Sequence, residues 1–159
     1  MIKVQIQIED GPIYDSAGTY GLVYLSSDSR FSPPLRDFES TTYAEQSGKN
    51  VLPLTVFESF DYTVNFFVDA SLGIEDANQK IYDFNKILYS EGDGDTKAFK
   101  RVTFYNDYKK VKIVGYPKLI ETADTFWRDS RGRVTDVVCV PWVITVDKPE
   151  ECDFNYKNV

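Results

Sequence analysis

Histidine is absent from this chain of 159 residues. That removes the commonest general base at neutral pH, the Ser-His-Asp and Cys-His arrangements, and most catalytic zinc or iron sites. Cysteine is nearly absent as well. Cys139 falls inside an apolar strand pattern and Cys152 near the C-terminus, with no C-x-x-C spacing for zinc or thiol redox chemistry. Both are expected to remain thiols, Cys139 as a small core hydrophobe. No run approaches the ~20 apolar residues needed to span a bilayer, so no membrane partner is expected. Met1 leads directly into a strand pattern, without the charged and apolar regions of a signal peptide, which predicts synthesis in a cytoplasm. Glycine-rich phosphate loops are also lacking: neither G-x-G-x-x-G nor the P-loop spacing occurs. These absences predict a chain that is not an enzyme and carries no cofactor.

What is present is acid and aromatic. Net charge is −7 with a pI near 4.6, so the chain lacks the positive field of proteins that grip phosphate backbones. Eleven Tyr and eleven Phe favour strands, because flat rings pack well on a pleated surface. The length fits a single β-rich domain, residues 1–159, able to bury about two-thirds of its unfolded surface.

Period-two alternation places Ile2, Val4, Ile6 and Ile8 on one face of an N-terminal strand. After the turn at Asp10, Gly11 and Pro12, residues Tyr20 to Leu25 read as a second strand. Ser26 to Asn50 forms a long irregular stretch, beyond the ~12–15 residues usual for structureless loops. Val51 to Phe57 and Phe60 to Val68 predict a hairpin, with Phe60, Tyr62, Val64, Phe66 and Val68 in phase. Only Glu75 to Tyr89 has a helical period, in Ala77, Ile81, Phe84 and Leu88, with Glu75 and Asp76 near its positive end. Arg101 to Tyr105 and Lys109 to Tyr116 read as a hairpin around Asn106 and Asp107. Leu119 to Trp127 and Arg133 to Val146 are expected to face each other across Asp129 to Gly132, with Pro141 marking an edge or bulge. The fold class is α+β, mainly β: an antiparallel β-sandwich or split barrel with one packed α-helix.

Candidate chemistry is sparse. Glu91 to Asp95 suggests a calcium loop, but counting from Asp93 puts Lys97 at the fifth position and Phe104 at the twelfth. The bidentate acid is missing, and a solvated turn is the better reading; no metal is expected. With 25 acids, some pair fits a glycosidase dyad, but such pairs are defined by a separation that sequence does not supply. Arg128, Arg131 and Arg133 cluster at the tip of the last hairpin. They are candidates for bidentate contacts with a neighbouring subunit's carboxylates, with a solvated tip as the alternative. Tyr14, Tyr20, Tyr24 and Tyr43 read either as core and subunit-contact residues or as a stacking platform for sugar. The second option keeps open a monomeric β-sandwich module for carbohydrate binding or adhesion.

The order of elements resembles the N-terminal domain of siphophage distal tail proteins and the wider tail-tube fold. In that family a helix is followed by strands such as Lys100 to Tyr105 and Val111 to Tyr116, then by a closing strand comparable with Trp142 to Pro149. The stretch Tyr43 to Val51 sits where many distal tail proteins carry a Pro-Gly-Arg-Asp-Gly-like turn, of which Gly48 is the echo here. The resemblance implies a structural protein of the virion tail, made in a bacterial host cytoplasm. It implies a homo-hexameric ring between tail tube and baseplate that contacts other tail proteins and lets DNA pass without specific binding. Tyr43 and Gly48 join the three arginines as candidate interface residues. An acidic lumen suits a conduit that must not hold phosphates.

Overall fold

The computed structural model describes residues 4–35, 56–123 and 137–157. Nine strands, two α-helices and a 3-10 turn follow one another through these segments. Strand β1 (Val4–Ile8) turns into β2 (Ile13–Asp15) and helix α1 (Ser16–Tyr20), before β3 (Val23–Ser27). Strand β4 (Phe60–Asp69) precedes helix α2 (Ile74–Ile87), the small hairpin β5 (Tyr89–Glu91) and β6 (Lys97–Phe99), and the hairpin β7 (Val102–Asn106) and β8 (Val111–Pro117). Strand β9 (Val137–Val146) and the turn Pro149–Glu151 complete the described chain.

Seven strands form one sheet, ordered β2-β1-β7-β8-β9-β4-β3, and all its pairings are antiparallel. The sheet is strongly bent. Phe104 on β7 lies three strands from β4, which is ~14 Å in a flat sheet at ~4.8 Å per strand. Yet its ring stands 6.3 Å from Tyr62 and Phe66 on β4 and 6.4 Å from Trp142 on β9. The two halves therefore close over a shared core as a split barrel. Helix α2 packs against this core through Phe84, 5.3 Å edge-on from Trp142, and buries Ala77.

The phase predicted for β4 holds, with Phe60, Tyr62, Val64, Phe66 and Val68 all buried. Val138, Val140, Trp142, Ile144 and Val146 are buried on β9, the strand that pairs with β4 over ten residues. Cys139 is buried too. Pro141 sits opposite Asn65. Val143, two residues on and so aimed to the same side, offers its carbonyl to Lys118. Pro141 thus directs its donor-less nitrogen to the side of β9 where no ladder residue meets it among the described residues, as an edge proline should.

Several boundaries differ from expectation. Tyr20 belongs to α1 and not to a strand: Asp15 caps that helix by accepting from the Gly18 amide, and Gly21, at φ 71°, ends it. The strand starts only at Val23. Glu91 to Asp95 does not lead simply from helix to strand but turns the β5–β6 hairpin, where Thr96 bonds back to the Asp93 carbonyl through both its amide and its hydroxyl. Phe57 makes no hairpin with β4, whose two edges are taken by β9 and β3; it bridges Leu35 instead. Residues 118–123 are irregular rather than strand, and β9 pairs with β4 and β8. Residues 51–55, 124–127 and 133–136 of the three predicted strands concerned, and the turn predicted between the last two, lie outside the described residues.

Candidate functional site

The bent sheet is split between β8 and β9, and opposite the split its far strands approach each other through side chains. There β3 meets β4 and the end of β7 at the Ser27 hydroxyl. Tyr62 donates to Ser27 Oγ at 3.0 Å and Asn106 Nδ2 at 3.4 Å. With both lone pairs occupied, the Ser27 proton goes to the Tyr24 hydroxyl, 2.9 Å away. Tyr24 in turn stacks on Tyr108, with centroids 5.3 Å apart. Asn106 is fully buried, and its Oδ1 accepts from the amides of Tyr108 and Lys109, fixing the β7–β8 turn.

On the split side, β8 and β9 pair only at Tyr116 with Thr145 and Pro117 with Ile144, then diverge. Gly115 stands at the divergence, so close to β9 that a Cβ there would lie 2.3 Å from the Thr145 carbonyl oxygen. Below it, the open edge of β8 is covered by the residues that follow β9. Asp153 and Lys112 exchange both backbone hydrogen bonds, at 2.8 and 2.9 Å, and the Tyr156 amide donates to the Lys110 carbonyl. Cys152 Sγ accepts from the Val114 amide, and burial pushes its thiol pKa up. Phe154 packs on Phe60 and Tyr156 on Tyr105.

Arg101 clamps this strap. Its guanidinium donates to both carboxylate oxygens of Asp147, at 2.9 and 3.0 Å, and to Glu151, while lying 5.4 Å from the Tyr116 ring centroid. Burial opposes the charge on both partners. The hydrogen bonds prevail, holding the Asp147 carboxyl below its ordinary pKa and the guanidinium above its own.

A third surface is apolar. The chain stretches on either side of residues 36–55 run together, through the Leu35–Phe57 bridge and the Glu58 amide donating to Pro34. They expose Phe31 (94%), Leu35, Val56 and Phe57. Apolar groups left together in water in this way mark contact surfaces.

The five predicted interface residues, Arg128, Arg131, Arg133, Tyr43 and Gly48, all lie outside the described residues. Among the tyrosines, Tyr20 packs edge-on against Phe84 and Tyr24 against Tyr108, and both contact the core. Tyr14, opposite Ile6 on β1, is exposed and meets Tyr20 edge-on. Stacked into the domain, Tyr20 and Tyr24 are not faces set out side by side for a sugar. Arg101, Asp147 and Glu151 escaped the sequence reading. Their one signal is an acid-rich run directly after the longest apolar alternation.

No family model matches the sequence, and no curated protein matches it. Solved structures do match. The chain is similar to the SPP1 Dit (gp 19.1) protein, a paradigm of the hub adsorption apparatus in phages that infect Gram-positive bacteria. The TM-score is 0.55 at 16% identity, over 92% of this chain and 50% of that one. The chain thus spans about half the length of the protein whose fold it shares.

Proposed function

We propose that this chain is a structural, non-enzymatic subunit of a phage tail. It forms a homo-hexameric ring at the junction of tube and baseplate, contacts other tail proteins, and lets DNA pass without binding it specifically. Residues 1–159 act as one ring domain in the virion tail after synthesis in the host cytoplasm. The observation that carries this reading is the likeness of fold to a phage hub protein over 92% of the chain. The exposed apolar stretch at Phe31, Leu35, Val56 and Phe57 supports it, since a subunit needs such a surface and a monomer pays to keep it wet. Net charge −7 suits a conduit that repels phosphates. Arg128, Arg131 and Arg133, with Tyr43 and Gly48, are assigned to the same subunit interface.

Mass photometry with negative-stain imaging tests the proposal. A discrete six-copy species with a central channel is expected, and charge reversal at Arg131 shifts it toward single copies. A monomer that persists at high concentration, both alone and mixed with the tail proteins encoded beside it, overturns the reading.

A further inference from the structure

We propose that Asp93 is a site of spontaneous covalent modification, where the chain rearranges through a cyclic imide to an isoaspartyl linkage. The sequence holds two Asp-Gly pairs, Asp10-Gly11 and Asp93-Gly94. In such a pair the glycine amide nitrogen has access to the aspartyl side chain, because no Cβ on the second residue obstructs it. The fold treats the two pairs differently. Gly11 lies in the tight turn between β1 and β2, within the seven-stranded sheet, and its amide donates to the Ile8 carbonyl at 3.0 Å. That nitrogen is held on its acceptor. Asp93 and Gly94 instead turn β5 into β6, a two-stranded sheet that pairs with no other described strand. Every residue from Ser90 to Phe99 is exposed, and the Gly94 amide makes no hydrogen bond among the described residues. A lone hairpin of this kind opens readily.

Thr96 prepares the attacking nitrogen. The Asp93 carbonyl belongs to the same peptide unit as the Gly94 amide, and it accepts from the Thr96 hydroxyl at 2.7 Å and from the Thr96 amide at 3.3 Å. Two donors on that oxygen stabilise the negative charge it gains as the Gly94 nitrogen gives up its proton, as donors in an oxyanion hole do. Gly94 stands at φ 66° with nothing within 4 Å of its Cβ position, so its surroundings leave room for the ring to close. The nitrogen forms a bond to Asp93 Cγ, the Cγ–Oδ bond breaks, and the departing hydroxyl leaves as water with the amide proton. Water then adds to one of the two imide carbonyls. Opening at Cγ restores aspartate, whereas opening at the main-chain carbonyl leaves the chain running through the side chain. One water is released and one consumed, with no change of oxidation state. The run from Glu91 to Asp95 thus carries a chemistry of its own, whatever the stoichiometry of the assembly.

Peptide mapping of the folded, full-length protein tests the site, after storage at neutral pH and physiological temperature, with electron-transfer fragmentation to tell isoaspartate from aspartate. Isoaspartate is expected to accumulate at position 93 about tenfold faster than at position 10, the factor that releasing one hydrogen bond makes in a rate. In urea both pairs lose their surroundings, and the two rates are expected to converge. Thr96→Val removes the hydroxyl donor and is expected to slow the reaction at Asp93 several-fold in the folded protein. Equal rates at the two positions in the folded protein overturn the proposal. A tenfold difference that persists in urea traces the preference to local sequence and overturns the part given to the fold. A Thr96→Val rate no lower than that of the unaltered chain overturns the part given to the hydroxyl.

Discussion

Gly115→Ala is expected to be among the most damaging single-methyl additions to this fold. The added Cβ would stand 2.3 Å from the Thr145 carbonyl oxygen, 2.9 Å from its carbon and 3.0 Å from Ile144 Cγ2. Ordinary contact begins near 3.4 Å, so β9 must retreat by about 1 Å, and the obstacle is backbone that no rotamer change can clear. The retreat falls where β8 and β9 are registered, Tyr116 against Thr145, beside the Lys118 amide donating to Val143. Overpacking costs ~1–3 kcal/mol. Two strained hydrogen bonds add ~1 kcal/mol each. The sum, ~3–5 kcal/mol, is a large share of the ~5–15 kcal/mol that holds a domain together. At ~2–4 °C per kcal/mol for a chain of this size, the melting temperature drops by about 10 °C. Thermal melts followed by circular dichroism measure the shift, and urea titration measures the free-energy cost. Gly94→Ala is the reference: Gly94 has φ 66° but nothing within 4 Å of its Cβ position, so only the backbone strain of ~1–2 kcal/mol applies. If Gly115→Ala costs no more than Gly94→Ala, the close approach of β8 and β9 is not what shapes the split.

Ser27→Ala leaves the Tyr62 hydroxyl and the Asn106 amide without their acceptor, and a loss of ~2–3 kcal/mol is expected. Tyr62→Phe removes one donor and costs ~1 kcal/mol, less still in the Ser27→Ala background; a Ser27→Ala cost no larger than that of Tyr62→Phe contradicts the shared-hydroxyl geometry. Burial pushes the Tyr62 phenol up to about 12. Its folded value lies above the unfolded one, so this contribution to stability is complete below about pH 10 and is lost as pH rises toward 12. The alkaline fall in urea midpoint is therefore expected to be shallower in Tyr62→Phe, and an unchanged slope would falsify the assignment.

The sequence was informative wherever burial imposed a period. The alternation from Phe60 to Val68 and from Val138 to Val146 reports which side chains face the core, because a strand's two faces meet different solvents. It does not report partners. Two in-phase strands with a turn between them look like a hairpin, yet β4 takes β9 as its partner some eighty residues later in the chain. Tyr20 reads as strand by its ring, whereas Asp15 and Gly21 supply caps that favour one helical turn. The Arg101 clamp was hidden for a related reason: its partners lie 46 and 50 residues away, and isolated charges carry no period.

The pairing of β1 with β7 sets Val4 opposite Asn106. During synthesis β1 has only the short β2 to pair with until two-thirds of the chain has been made, and β4, already beside β3, meets β9 later still in the sequence. Contacts of such long sequence separation make folding slow and late rather than stepwise. A chain interrupted before β9 lacks the strand that joins β8 to β4, so the two halves of the sheet stay separate. In the proposed ring, topology would thus act as a checkpoint that withholds assembly from unfinished copies.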